Sequence, residues 1–257
     1  LENNGVVEVK DDQPAQALKA VRYELQTVVC DGKYAAGLDK ILSSYLRNIS
    51  GSHEQPGVWI SGFFGSGKSH LAKMLRAMWT NQPFGDGVSA RDIADLPGDI
   101  KDHFSELSIA AKSHGGLHAA SGTLGSGANN NVRLALLNIL FKSAGLPESY
   151  NQAQFVLWLK QEGLYEKLRS RIESMDKDWV KEVRRMHASP HIAEALLELR
   201  PDFAADVGQV KSILINQFPN VTDVTNQQMV DAIYDALATD GQFPLTLVVL
   251  DEVQQYV

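Results

Sequence analysis

One octapeptide constrains this chain more than any other feature. Residues 62–69 read Gly-Phe-Phe-Gly-Ser-Gly-Lys-Ser and fit the pattern G-x-x-x-x-G-K-[ST] at every position. Glycines at these places let successive backbone N–H groups turn toward one centre, and a helix that begins near the last glycine adds its unpaired amides. Such a loop suits an anionic phosphate. The apolar run Val58–Ile60 before it and the amphipathic stretch Leu71–Trp79 after it predict the strand–loop–helix context that the pattern requires.

The side chains of this loop suggest individual roles. We expect Lys68 to reach the β- and γ-phosphates of a nucleotide and the Ser69 hydroxyl to ligate Mg²⁺. The expected nucleotide-binding residues are Gly62, Phe63, Phe64, Gly65, Ser66, Gly67, Lys68, Ser69 and His70. The alternative is a glycine-rich turn without a ligand, which the flanking elements disfavour. Phe63 and Phe64 are unusual in an exposed loop, and we expect them to pack against a sheet edge or a neighbouring subunit rather than to stack on a base.

A second candidate site follows the apolar run Leu245–Leu250, which predicts a strand covered on both faces. This run ends in Asp251 and Glu252. Ligands of parallel α/β sheets bind at the carboxyl ends of strands, so we expect Asp251 to hold Mg²⁺ through its water shell and Glu252 to accept a proton from the attacking water. The alternative is a strand end capped by solvated acids. The predicted catalytic residues are therefore Glu252 and Lys68, the predicted metal site is Ser69 with Asp251, and the predicted cofactors are ATP and Mg²⁺.

Hydrophobic spacing predicts the organisation of the chain. Two helical stretches, Ala15–Val29 and Tyr34–Ile49, give an N-terminal helical segment over residues 1–56. Residues 57–130 form the first part of a P-loop ATPase core, residues 131–242 a helical insertion, and residues 243–257 the Walker B strand. The predicted fold class is α/β: an incomplete, AAA+-like P-loop NTPase with a parallel-sheet core. We expect the chain to be part of a longer protein, with its core truncated after this strand.

Smaller segments also carry predictions. Val6–Val9 reads as an edge strand, Phe84–Gly98 as a loop and Leu117–Thr123 as a strand beside that of the phosphate loop, which would bring His118, Thr123 or Ser126 near the nucleotide. Ser189-Pro190 predicts a helix start, which argues against a zinc site at His187 and His191, and Thr225-x-x-Gln228 predicts a capping box. Four positively charged residues form a cluster that either contacts a phosphate backbone or is a solvated helix face: Lys177, Lys181, Arg184 and Arg185.

Composition limits the classes of partner. The net charge of −7 over 257 residues argues against a broad basic face, so contact with DNA would be local or indirect. No run of 18 uncharged apolar residues occurs, and we expect no membrane association. The single cysteine, Cys30, excludes an internal disulfide and fits a buried side chain in a reducing cytoplasm.

Three strings together resemble the BrxC/PglY ATPases of bacterial BREX phage-defence systems: Trp59–Leu71, Gly122–Gly127 and Val249–Gln254. The resemblance covers about a tenth of the chain, and the doubled phenylalanine and the histidine after the loop are its most specific parts. It implies an AAA+-like ATPase that acts with other BREX proteins, including a DNA methyltransferase, and that forms a homo-oligomer at full length. Two other functions stay open: a nucleotide-gated assembly scaffold with little hydrolysis, and a DNA translocase or helicase.

Overall fold

The computed structural model describes residues 15–51, 57–63, 65, 67–124, 131–251 and 253. Within these ranges the fold is α/β and mostly helical, with one small parallel sheet. The chain divides into two compact units, one formed by Leu1–Thr123 with Ala238–Val257 and the other by Leu124–Leu237. No helix of the described ranges is long and apolar enough to cross a membrane.

The first unit contains five helices and both strands among its described residues. The helices are α1 (Ala15–Thr27), α2 (Gly32–Gly51), α3 (Lys68–Trp79), α4 (Ala90–Ile93) and α5 (Gly98–Ala111), and the strands are β1 (Leu117–Thr123) and β2 (Leu245–Asp251). The predicted helices around Ala15–Val29, Tyr34–Ile49 and Leu71–Trp79 are confirmed. Because α1 and α2 contribute Leu25, Leu38 and Leu42 to the hydrophobic core that also holds α3, the N-terminal helices belong to the same folded body as the phosphate loop.

The sheet pairs β1 and β2 in parallel, from Leu117 opposite Leu245 to Thr123 opposite Asp251. The prediction of a strand at Leu117–Thr123 is confirmed, but its neighbour is β2 rather than a strand of the phosphate loop. The expectation that β2 is covered on both faces is wrong for the described chain, because the Val248 side chain is 40% exposed. An apolar run shows only that a strand can be buried, and in the described part of the chain α3 packs on β2 while the Val248 side chain stays exposed.

Two local predictions fail for identifiable reasons. Val58–Ile60 is not a strand, because its backbone makes no ladder with any described residue and its side chains are exposed. The segment Phe84–Gly98 is not a continuous loop: it contains α4, whose N-cap Ser89 and Asp92 form a capping box, and it ends where α5 begins. The predicted edge strand Val6–Val9 lies outside the described residues.

The second unit contains seven helices among its described residues. They are α6 (Val132–Ser143), α7 (Tyr150–Gln161), α8 (Tyr165–Ser174), α9 (Trp179–Arg184), α10 (Pro190–Leu199), α11 (Val207–Gln217) and α12 (Asn226–Leu237). The predicted start of α10 is confirmed, since the Ser189 hydroxyl accepts a hydrogen bond from Ile192 N with Pro190 in the first turn. The capping box before α12 is also confirmed, with Thr225 N donating to Gln228 Oε1 over 2.8 Å and Gln228 N donating to Thr225 Oγ1 over 3.2 Å.

Candidate functional site

Two glycines of the phosphate loop have the backbone conformation that the pattern was expected to require. Gly65 has φ 77° and Gly67 has φ 82°, values in the left-handed region that side chains with a Cβ rarely adopt. Gly67 is the N-cap of α3 and, having no side chain, leaves the first-turn amides without a side-chain cap. The first turn of α3 also carries no acidic residue. The positive end of the helix dipole is therefore available to an anion.

Lys68 is folded back over the loop that precedes it. Its Nζ atom donates hydrogen bonds to the carbonyl oxygens of Gly62 and Phe63, both over 2.9 Å. These bonds use two of the three N–H donors of the ammonium group and fix its position at the loop. A third donor then remains for an anionic ligand held by the same loop.

The central contact of the site joins residues 182 positions apart. Ser69 Oγ, in the first turn of α3, donates a hydrogen bond to Asp251 Oδ2, at the carboxyl end of β2, over 2.8 Å. Both side chains are partly buried at this contact. The two candidate sites identified in the sequence are therefore one place in the structure.

A second bond defines how α3 lies along the sheet. Trp79 Nε1, at the end of α3, donates to the carbonyl oxygen of Leu245, at the start of β2, over 3.0 Å. Since Ser69 contacts the opposite end of the same strand, α3 runs antiparallel to β2. This orientation brings the amino end of the helix to the carboxyl edge of the sheet, where ligands of parallel sheets bind.

Arg91 anchors the other end of α3. Its guanidinium donates to the carbonyl oxygens of Met78 (2.6 Å) and Trp79 (2.8 Å), and it also contacts α5 through the Phe104 carbonyl oxygen (2.8 Å) and Ser108 Oγ (2.6 Å). Burial lowers the pKa of Arg91 to about 10, which still leaves it charged at neutral pH. A cation at the carboxyl end of α3 complements the helix dipole whose positive end faces the loop.

The donor set of Ser69 and Asp251 fits magnesium. Both supply oxygen, the ligand type that Mg²⁺ prefers. Their oxygens lie together at the first turn of α3, where Ser69 would bind the ion directly and Asp251 would hold it through its water shell. Because the Ser69 hydroxyl donates a hydrogen bond to Asp251, the lone pairs of its oxygen stay available to a cation.

Other predicted residues of the loop have different outcomes. Gly62 is exposed next to the ammonium group of Lys68, and His70 is half-buried in the first turn of α3. Of the two contacts expected for Phe63, packing against a sheet edge is wrong, because its side chain is 91% exposed, and packing against a neighbouring subunit stays a prediction. Three predicted residues lie outside the described part of the chain: Phe64, Ser66 and Glu252.

The strand β1 carries two of the three residues expected near the nucleotide, and it brings one of them to the site. Thr123 pairs with Asp251 in the parallel register, whereas His118 pairs with Thr246 at the other end of the strand. Five residues of a strand span about 16 Å, so the proximity expected for His118 is wrong. Burial, with a smaller contribution from the charge of Arg76, lowers the pKa of His118. Ser126 lies outside the described residues.

The remaining candidates belong to the helical unit. His187 Nε2 contacts the carbonyl oxygen of Phe218 over 2.8 Å, and His191 Nδ1 contacts Glu182 over 3.3 Å, so the two imidazoles have separate partners. No group of three or more potential metal ligands of the His, Cys, Asp and Glu types occurs in the ranges that the structure describes. In the basic cluster, Arg185 forms an ion pair with Glu182, while Lys181 and Arg184 lie on the exposed face of α9.

Sequence reasoning missed one contact of the phosphate-loop helix. Lys73 Nζ, one turn after Ser69, donates to Glu24 Oε1 of α1 over 2.8 Å. Because Lys73 follows Ser69 by four residues, the sequence predicts that the two lie on one helical face. The sequence does not predict Glu24 as the partner of Lys73, since this contact depends on how α1 packs.

No family model matches this sequence, and no solved structure matches the fold.

Proposed function

We propose that this chain binds Mg²⁺–ATP and hydrolyses it, as an AAA+-like P-loop ATPase. The observation that carries the proposal is the hydrogen bond between Ser69 and Asp251, which unites the phosphate loop with the acidic end of a strand. The two alternatives do not account for this contact. A glycine-rich turn without a ligand does not require a carboxylate beside its serine, and a strand end with solvated acids does not require a contact with a phosphate loop.

The chain's own groups divide the work in this proposal. The α3 amides and Lys68 would bind phosphate oxygens and Ser69 would ligate Mg²⁺, while Asp251 accepts a hydrogen bond from Ser69 and would orient the water shell of the metal. The bound metal supplies neutralisation of the negative charge that develops on the phosphates. Glu252, the next residue after Asp251, is assigned on sequence grounds as the base that accepts a proton from the attacking water.

The test of the proposal is the affinity for ATP of Lys68→Ala. We expect the substitution to abolish measurable binding in a titration with a fluorescent ATP analogue, because it removes the ammonium group that faces the phosphates. Lys177→Ala, which removes an exposed lysine of the helical unit, is the matched control and should bind as the wild type does. Equal affinity in wild type and Lys68→Ala would refute the proposal, and unchanged turnover in Glu252→Gln would refute the role of Glu252.

The biological setting rests on the resemblance to BrxC/PglY ATPases. We propose that the protein is a subunit of a BREX phage-defence complex that includes a DNA methyltransferase, works in the cytoplasm and forms a homo-oligomer at full length. In a bacterium that depends on the protein for defence, Lys68→Ala should remove protection against phage. Full protection by a variant that cannot bind ATP would contradict this setting.

One observation favours a second candidate, the nucleotide-gated scaffold. Four large apolar side chains within six residues are exposed at and before the loop: Val58, Trp59, Ile60 and Phe63. An exposed apolar surface of this kind marks a contact site, and its place in the chain would couple that contact to the nucleotide. Sedimentation with and without ATP, together with ATP turnover, separates the candidates: abundant turnover without a change in assembly excludes the scaffold.

A further inference from the structure

The helix α3 presents two hydrogen-bond donors on one face, one turn apart. Ser69 and Lys73 are separated by four residues, so their side chains share that face about 5–6 Å from each other. Each donates to a carboxylate over 2.8 Å, Ser69 to Asp251 on β2 and Lys73 to Glu24 on α1. The helix that carries the predicted metal ligand is therefore held by acidic residues from two different elements.

The contact between Lys73 and Glu24 is shielded from solvent. The side chain of Lys73 is 13% exposed and that of Glu24 is 24% exposed, in contrast to ion pairs elsewhere in the chain such as Arg169–Glu173, at 46% and 50%. Shielding strengthens the attraction and defines the geometry of the pair, while exposed pairs contribute little. The pair is thus suited to fixing a position.

The surroundings of the second carboxylate oxygen of Glu24 indicate that the Lys73–Glu24 pair serves to position α3 rather than to stabilise the fold. Glu24 Oε2 is buried and accepts no hydrogen bond from any residue that the structure describes. A buried acceptor without a partner costs free energy, so an apolar pair of similar size would serve stability at least as well. What an apolar pair cannot supply is a directional bond to α3.

The placement to which this bond contributes is the rotation of α3 about its axis, which the Trp79–Leu245 bond limits at the other end of the helix. Side-chain atoms of a helix lie about 5 Å from the axis, so a rotation of about 10° moves such an atom by about 0.9 Å. Misplacement of a reacting or ligating group by about 1 Å can reduce a rate about a hundredfold. Because the Lys73–Glu24 bond lies one turn from Ser69, it limits this rotation close to the Ser69 Oγ atom.

We propose that Glu24 is a positioning residue of the nucleotide site: through Lys73 it fixes the rotation of α3 and so places the Ser69 hydroxyl for magnesium. This inference rests on the proposed function, because it concerns the same metal site. It also makes the N-terminal helix α1 a functional part of that site.

The test is the magnesium dependence of ATP turnover in Glu24→Gln. We expect the Mg²⁺ concentration at half-maximal turnover to rise about tenfold, while affinity for ATP measured in EDTA stays unchanged, because the loop amides and Lys68 are not altered. Arg22→Gln is the matched control, since Arg22 also holds α1 to the same unit but through Asp86 rather than through α3. It should retain the magnesium dependence of the wild type.

An exchange of charges, Glu24→Lys with Lys73→Glu, supplies a second variant in case Glu24→Gln does not fold. The exchanged pair restores a directional bond between α1 and α3 and should recover most of the wild-type magnesium dependence. The proposal is overturned if Glu24→Gln folds with wild-type magnesium dependence, if Arg22→Gln shows the same loss, or if the exchanged pair folds without recovery. Absence of magnesium-dependent ATP binding in the wild type would instead refute the proposed function.

Discussion

At the scale of single residues, the helical unit contains a buried carboxylate whose partners define its charge. Glu182 lies in α9 and is 2% exposed, and its carboxylate accepts a hydrogen bond from Ser189, the N-cap residue of α10. Burial alone would raise its pKa, but hydrogen bonds from Arg185, Ser189 and His191 outweigh that effect and lower the pKa from 4.5 to about 2. The charged form of Glu182 is therefore favoured by the folded protein.

This shift predicts how acid affects the stability of the unit. A carboxylate with a depressed folded pKa contributes stability that is complete above the unfolded pKa and is lost as the pH falls through the folded pKa. We expect Glu182→Gln to lower the free energy of unfolding by about 3 kcal/mol at pH 7. Measured by urea denaturation, the difference from wild type should shrink between pH 4.5 and pH 2.

The control for this prediction is Glu173→Gln, which removes a carboxylate of similar chemistry from an exposed pair with Arg169. Its effect should be within about 0.5 kcal/mol at either pH, because exposed ion pairs contribute little. A difference for Glu182→Gln that is the same at pH 7 and near pH 2 would show that the stabilisation does not come from its charge.

At the scale of elements, the two strands begin with a close approach of backbones. A Cβ atom on Gly115 would lie 2.5 Å from the carbonyl oxygen of Gln242, closer than side chains tolerate. Gly115 N also donates to the carbonyl oxygen of Phe243 over 3.2 Å. The parallel pairing that aligns Thr123 with Asp251 therefore starts from a position that requires glycine.

We expect Gly115→Ala to lower the free energy of unfolding by about 2 kcal/mol, because the added methyl group displaces backbone rather than a movable side chain. Gly37→Ala is an informative control: Gly37 lies within α2 with open space around its Cβ position. There the same change should stabilise the protein by about 0.5–1 kcal/mol, since alanine restricts the unfolded chain. Thermal unfolding of both variants measures the contrast, and a loss of the same size at both positions would contradict it.

The elements also show what the sequence allowed us to predict. Helices with their own start signals, such as Ser189-Pro190 for α10 and Thr225 with Gln228 for α12, were predictable because the capping groups are local. The prediction of a strand at Val58–Ile60 is wrong, because a strand needs a neighbouring strand and three apolar residues do not specify one. The helix α5 was overlooked, although Ile100, Phe104, Leu107 and Ala111 recur at helical spacing.

At the scale of the whole molecule, the fold of the first unit brings together parts of the chain that are distant in sequence. The glycine pattern predicted the positive φ angles of Gly65 and Gly67 and the helix that begins beside them, because these are local structures. The contact of Ser69 with Asp251 followed only from a general rule about parallel sheets. The Lys73–Glu24 contact had no such rule, because its geometry depends on the packing of α1 against α3.

The helical unit is compact by itself, and this affects how the site can be tested. Residues Leu124–Leu237 intervene between Ser69 and Asp251 in sequence yet form a compact unit with hydrophobic clusters of their own. The described contact of the site joins α3 and β2, which both belong to the first unit. Variants at Ser69, which precedes this segment in the sequence, and at Asp251, which follows it, therefore test the same site.

The most direct test of the central claim is the affinity for ATP with Mg²⁺ and with EDTA, measured for wild type, Ser69→Ala and Asp251→Asn by calorimetry. We expect Mg²⁺ to tighten binding to the wild type, and each substitution to weaken metal affinity about ten- to a hundredfold while binding in EDTA persists. Ser105→Ala, which removes a hydroxyl that donates to the Lys101 carbonyl oxygen of its own helix, should behave as the wild type. If both site variants keep the full effect of Mg²⁺, then Ser69 and Asp251 do not form a common magnesium site and the account is wrong.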